Sequence, residues 1–237
     1  MTGTLINTGA ILVGGVCGHL FGKLLKKDHQ ETLTMACGVG TLFIGIAGAM
    51  KYMLLSDLFP GGGTMLVVAC LALGGLLGEI IDIERGFERF GEWLKVRSGN
   101  AKDPRFVNGF LTASLTVCIG AMAIVGAIQD GITGDWSTLG AKAILDLIIV
   151  MVMTCSLGKG CVFSALPVFL WEGALTLLAS ALKPVMTDAA LGYLSLVGSV
   201  LIFCVGINLI WGKKIRVANL LPAVIFAAAA AFLPIVF

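Results

Sequence analysis

The sequence predicts an all-α polytopic integral membrane protein of about eight transmembrane helices, arranged as parallel helical-hairpin repeats. Three observations predict it. Hydrophobic residues make up 58% of the chain and charged residues only 13%, where a soluble domain carries about 25% charged residues, and the mean hydropathy is +1.00. Eight runs are apolar and long enough to cross about 30 Å of hydrocarbon, which takes about 20 helical residues. The basic residues between those runs alternate from one side to the other, as topology rules require.

The first run, 3–22, begins within MTGTLINTGAILVGG, with no basic residue before Lys23 and no cleavage pattern. It is expected to stay as a span and not to be removed as a signal peptide. The next runs are 33–55, 62–82 and 106–128. The fifth and sixth, 139–157 and 161–182, are divided only by Gly158, Lys159 and Gly160, so a re-entrant pair competes with two full crossings. The last two are 190–211 and 216–236, and residues 1–237 form a single transmembrane domain.

The longest connection, 83–105, places Ile83, Phe87, Phe90 and Leu94 at helical spacing opposite Glu84, Arg85, Glu88, Arg89 and Glu92. That pattern predicts an amphipathic helix lying at the interface, with Trp93 at headgroup level. A partner-binding role for its charged face is the alternative.

Thirteen of the sixteen basic residues fall on one side: Lys23, Lys26, Lys27, Arg85, Arg89, Lys95, Arg97, Lys102, Arg105, Lys159, Lys213, Lys214 and Arg216. Lys51, Lys142 and Lys183 fall on the other. The positive-inside rule then puts both termini outside and the 83–105 connector in the cytoplasm.

Seven cysteines lie in or beside apolar runs, form no C-x-x-C pair and are odd in number, so packing is expected of them and not a disulfide framework or a metal site. The chain has no phosphate loop, no H-E-x-x-H and no G-x-S-x-G. No cofactor, no enzymatic activity and no nucleic-acid partner is expected; the lipid bilayer is the expected surrounding.

A shift of 60 residues lays Gly14 on Gly74, Gly18 on Gly78 and His19 on Glu79. A weaker match at 55 lays Leu166-Pro167 on Leu221-Pro222. Parallel repetition of hairpins is a construction used by some transporters. Gly14, Gly18 and Gly22 form a ladder that lets a neighbouring backbone approach, with Gly74 and Gly78 as its counterpart. The same small-residue face makes a homodimer the expected assembly.

An ionisable group at mid-membrane costs at least about 2.5–3.5 kcal/mol, so each needs a partner or water. Glu172 lies near the centre of the sixth span, roughly 15 Å from either surface at helical rise. Pro167, five residues earlier, is expected to kink that helix. A proton or cation site is the functional expectation for Glu172; a neutral side chain bonded to a neighbouring helix is the structural one. Lys142 and Asp146 stand four apart on one helix face and should pair near the outer surface. With Asn7 they are the expected outer entrance of a pathway, and Thr8, Gln129, Asp130 and Asp135 lie on the same side. Thr112, Ser114 and Thr116 make the fourth span polar at its start, and Thr112 and Thr116 are candidate pathway residues. His19, Glu79, Asp82, Asn108 and Asn208 are read as solvated ends on the basic side.

The phrases GTLINTGAILVGG, FVNGFLTASLTVCIGAMAIVGAIQDGITGDWS, SALPVFLWEGALTLLA and KKIRVANLLPA, in this order over nearly the whole chain, resemble the YqgA-type family of bacterial inner-membrane proteins. The resemblance implies residence in the bacterial inner membrane, and no established reaction; no residue's role is carried over. From the residues themselves, the expected function is secondary transport or channelling of a small polar or charged solute, the acidic positions leaning toward a cationic or zwitterionic one, with any proton coupling resting on Glu172. A non-transporting scaffold acting through 83–105 is the alternative.

Overall fold

The computed structural model describes residues 1–54, 63–118, 121–184 and 187–232, and among them there is no β-strand. Among the described residues twelve α-helices occur in order: α1 (Thr2–Gly22), α2 (Lys27–Met53), α3 (Thr64–Ile81), α4 (Ile83–Arg97), α5 (Phe106–Cys118), α6 (Ala121–Thr133), α7 (Ser137–Leu157), α8 (Ala165–Leu177), α9 (Ala179–Leu182), α10 (Asp188–Trp211), α11 (Val217–Leu220) and α12 (Pro222–Ala230). A 3-10 segment, Lys159–Ser164, leads into α8.

Six crossings are long and apolar enough on their own: α1, α2, α3, α7, the 3-10 segment with α8, and α10. The fold class read from the sequence is therefore the one observed. Two expected spans differ in form. The run at 106–128 is two helices, α5 and α6, whose axes diverge by 61° and which reach on to Thr133. Within the described residues, the run at 216–236 is the short pair α11 and α12; residues 233–236 of that run lie outside them, as does residue 55 at the end of the second run and residue 62 at the start of the third. The second helix begins at Lys27, not at 33, because hydropathy marks where lipid begins and a helix can extend through Asp28, His29 and Glu31 into water.

Helix seams are set by glycine. A Cβ on Gly14 or Gly18 would strike the carbonyls of Leu147 and Met151 on α7, and the Cys155 thiol donates to the Gly18 carbonyl at 3.2 Å. Partner numbers rise together, so α1 and α7 run parallel. Gly22 closes the ladder against the Cys155 backbone. On α3, Gly74 and Gly78 meet Ala223 and Asn219 in reverse order, so this seam is antiparallel. The 60-residue match is thus a shared use of glycine against partners of opposite direction. Both faces are filled within the chain, so the small-residue face on which a homodimer was expected is already occupied.

The 55-residue match also has a structural counterpart. Pro167 and Pro222 both lie in the first turn of a helix, α8 and α12, after a short helical segment. A proline there breaks no hydrogen bond, since first-turn N–H groups have no intrahelical partner. Pro167 therefore starts α8, and the expected interior kink before Glu172 is absent.

The chain passes from α3 to α4 through Asp82, which sits in the left-handed region at φ 56°, a conformation rare outside glycine. Its carboxylate is held by Arg216 at 2.9 Å. Leu94 packs with Phe106, Phe110 and Leu111, joined by Phe87 and Phe90, so the apolar stripe of α4 is spent on the basic end of α5. Trp93 remains exposed and stacks on Phe90.

Candidate functional site

Glu172 lies in α8 where three helices meet. Asn7 from α1 donates its amide to Glu172 Oε1 at 2.8 Å. Lys142 from α7 is 3.5 Å from the same oxygen and forms a closer ion pair with Asp146, one turn along its own helix. Exposures are 0% for Glu172 and Asn7, 6% for Lys142 and 5% for Asp146. The residues expected as an outer entrance and the residue expected at the centre are therefore one buried cluster. The reason is the position of Asp146 midway along α7, which puts the pair deep in the bundle and not near a surface.

One ammonium faces two carboxylates, so the fully ionised cluster carries one surplus negative charge. Buried ions are tolerated only when paired and hydrogen-bonded. Here the bonding is incomplete: Glu172 Oε2 and Asn7 Oδ1, both buried, have no hydrogen-bond partner. Cys118, the last residue of α5, lies within electrostatic reach of Lys142, Glu172 and Asp146. The C-terminal end of α5 thus lies beside the cluster.

On the side away from the basic loops the cluster continues as a closed polar row. Thr176 donates to the Glu172 carbonyl at 2.8 Å and its hydroxyl lies 3.2 Å from that of Thr4. Beyond it, the Asp130 carboxylate from α6 accepts the Gly3 N–H at 2.9 Å, capping α1. Neither Thr4 nor Thr176 was legible as a site residue. The signal was a hydroxyl one helical turn from an already suspected residue: Thr4 from Asn7, and Thr176 from Glu172.

Thr112 and Thr116 do not join the cluster. Thr116 bonds back to the Thr112 carbonyl at 2.7 Å, a common resting place for helical threonine, and Thr112 lines a separate cavity of about 240 Å³ near the basic end, between α5 and α10. Thr112 and Leu115 on its wall belong to the same helix, α5, whose last residue, Cys118, lies beside the cluster.

At the basic end several expected solvated residues are bonded. Asn208 donates to the Ile215 carbonyl at 2.7 Å and accepts the N–H groups of Lys214 and Ile215, both at 2.9 Å, which fixes the loop after α10. Arg216 pairs with Glu79 and Asp82. Asn219, which the sequence did not single out, donates to Glu79 at 2.6 Å and accepts the Glu84 N–H at 2.7 Å. Lys213 bridges Glu84 (2.5 Å) and Glu88 (2.6 Å). Glu84 is 3% exposed, a correction to its expected place on a solvated face. The cause is the loop after α10, which folds over it.

Partial burial pulls the Lys213 ammonium down, but Glu84 and Glu88 outweigh this and raise it above its usual 10.5. A cation raised by folding contributes stability below its unfolded value, and that contribution is lost as pH rises through the folded value. The melting temperature of the wild type, relative to Lys213→Met, should therefore stay level to about pH 10.5 and fall only above it; a difference that vanished between pH 7 and 9 would contradict the bridge.

A helical bundle that keeps an ammonium, two carboxylates and an amide in its middle, away from water, is a polytopic membrane protein with an intramembrane polar centre. Within that class the chain belongs to the family described as "Protein of unknown function (DUF554)", which matches residues 2–232. It is 31% identical over 225 residues to "Uncharacterized membrane protein YdfK" of Bacillus subtilis (strain 168), covering 95% of this chain and 93% of that protein. It is 30% identical over 229 residues to "Uncharacterized protein YqgA" of Escherichia coli (strain K12), covering 95% and 94%. The resemblance to YqgA-type proteins is thus a family relationship. No solved structure matches the chain.

Proposed function

We propose that the protein is a secondary transporter of the bacterial inner membrane, moving a small polar or cationic solute, with Glu172 as the site of a coupling proton or cation. It has no enzymatic activity in this reading. The observation that carries it is the buried cluster of Lys142, Asp146, Glu172 and Asn7, with one ammonium for two carboxyl groups and two unpartnered oxygens. A purely structural cluster would gain by closing those bonds, whereas a site that exchanges an ion must leave oxygens free for it.

The basic end faces the cytoplasm and both termini face the periplasm, in keeping with the charge bias of the loops. The polar row through Thr4, Thr176 and Asp130 is then the periplasmic half-path, held shut by its own hydrogen bonds, and the cavity at Thr112 is the cytoplasmic half-path. An open channel fits less well, because that row is sealed.

The test is charge movement by proteoliposomes on a solid-supported membrane, challenged with small cations, amines, amino acids and organic anions. A solute-specific current is expected in the wild type, with loss in Glu172→Gln that elutes as a monodisperse species. Silence across the panel, with and without a pH gradient, together with no radiotracer flux, would remove the transport reading.

A further inference from the structure

We propose that the cavity of about 240 Å³ at the basic end is a binding site for a small solute bearing an ammonium group on an apolar body, with Glu84 as its anchor. The proposal deepens the transport reading by naming a solute class and a chamber, but the binding itself needs no transport.

Glu84 is the unusual group in this cavity. It is a carboxylate at 3% exposure, fixed through its N–H by Asn219, which is itself held by Glu79. A buried carboxylate requires a cation or good hydrogen bonds. Among the described residues its ion-pair partner is Lys213, whose side chain is 46% exposed and which donates its hydrogen bond to Glu88. Lys213 is thus shared between the two carboxylates, 2.5 Å from Glu84 and 2.6 Å from Glu88. Lys213 can therefore leave Glu84 and remain paired with Glu88 in water. Glu84 cannot remain alone, and a cation entering the cavity takes the vacated place.

The walls set the rest of the ligand. Leu111, Leu115, Val205 and Leu209 are apolar and surround most of the cavity, while Thr112 and Asn108 add polar atoms along α5. An apolar chain or ring suits the first group. A hydrated metal ion would find too few oxygens, and an anion would have to take Lys213, which also lines the cavity, away from both Glu84 and Glu88. A free amine and the ethanolamine headgroup of a phospholipid share this chemistry, and they are separated by experiment.

The experiment uses full-length protein in a sugar-headgroup detergent, titrated calorimetrically with n-butylammonium, with butyrate and 1-butanol as controls of the same shape. Butylammonium is expected to bind saturably, and Glu84→Gln to weaken it by about ten- to a hundredfold, the worth of a hydrogen bond to a charged group. Lys213→Met removes the competing cation and should tighten binding, which keeps the test decisive should Glu84→Gln misfold. Binding is read without a gradient or flux, so that a failure of the transport reading leaves this result standing. Displacement of butylammonium by nanodiscs of phosphatidylethanolamine, and not of phosphatidylglycerol, would assign the site to lipid; indifference to both assigns it to a free amine. Equal binding of butyrate or butanol, no binding of butylammonium, or unchanged binding in a folded Glu84→Gln overturns the proposal.

Discussion

Lys142→Met is expected to lower the unfolding free energy by about 3–5 kcal/mol, the cost of leaving a buried charge without its partner. Two carboxylates, on Asp146 and Glu172, would then share a site from which water is excluded. Lys142→Met combined with Asp146→Asn leaves only Glu172 and its Asn7 hydrogen bond, so most of the loss should return. Chemical denaturation in detergent, followed by tryptophan fluorescence, measures both. Equal losses in the single and double variants would mean that packing of the lysine stem, and not its charge, is what the cluster needs.

Gly18→Leu and Gly78→Leu should each cost about 3 kcal/mol or more, at or beyond the upper end of the usual range for overpacked interiors. In both, the first added carbon meets a carbonyl of the neighbouring helix, Met151 or Asn219, and backbone cannot swing aside as a side chain does. Gly9→Leu and Gly40→Leu are the controls, because a Cβ at either position meets nothing within 4 Å. Folded yield from membranes and melting temperature should separate the two pairs. If all four behaved alike, lipid exposure rather than helix contact would govern these glycines.

Much of the bundle was legible because the bilayer enforces a simple code. Apolar length and basic loops located the crossings, and the ladders at Gly14 and Gly74 located the seams. The difference in direction between α5 and α6 was not legible, since nothing in a run such as SLTVCIGAMAIVG departs from helical composition. The gathering of Asn7, Lys142 and Glu172 was likewise out of reach: each was suspected singly, but the spacing within α7 reports only the Lys142–Asp146 pair. What joins them is the parallel seam of α1 on α7, a tertiary fact. Asn219 was missed for a related reason, because its partners Glu79 and Glu84 lie about 140 positions away in sequence. Pro167 misled because a proline's effect depends on where its helix begins, and hydropathy does not mark that point.

The turn at Gly158, with φ 93°, bears on how the chain enters the membrane during synthesis. It joins α7 to the 3-10 segment and α8, so Lys142, Asp146 and Glu172 all lie on two consecutive helices. Each alone would resist partition into lipid. Lys142 and Asp146 cancel one another within α7 itself, and Glu172, arriving next on α8, meets the Asn7 amide of α1. The earlier arrival, α1, brings only the neutral amide of Asn7 and can wait in the bilayer at little cost. The order of the charges along the chain thus suits translation from one end, because each costly group follows a partner already made.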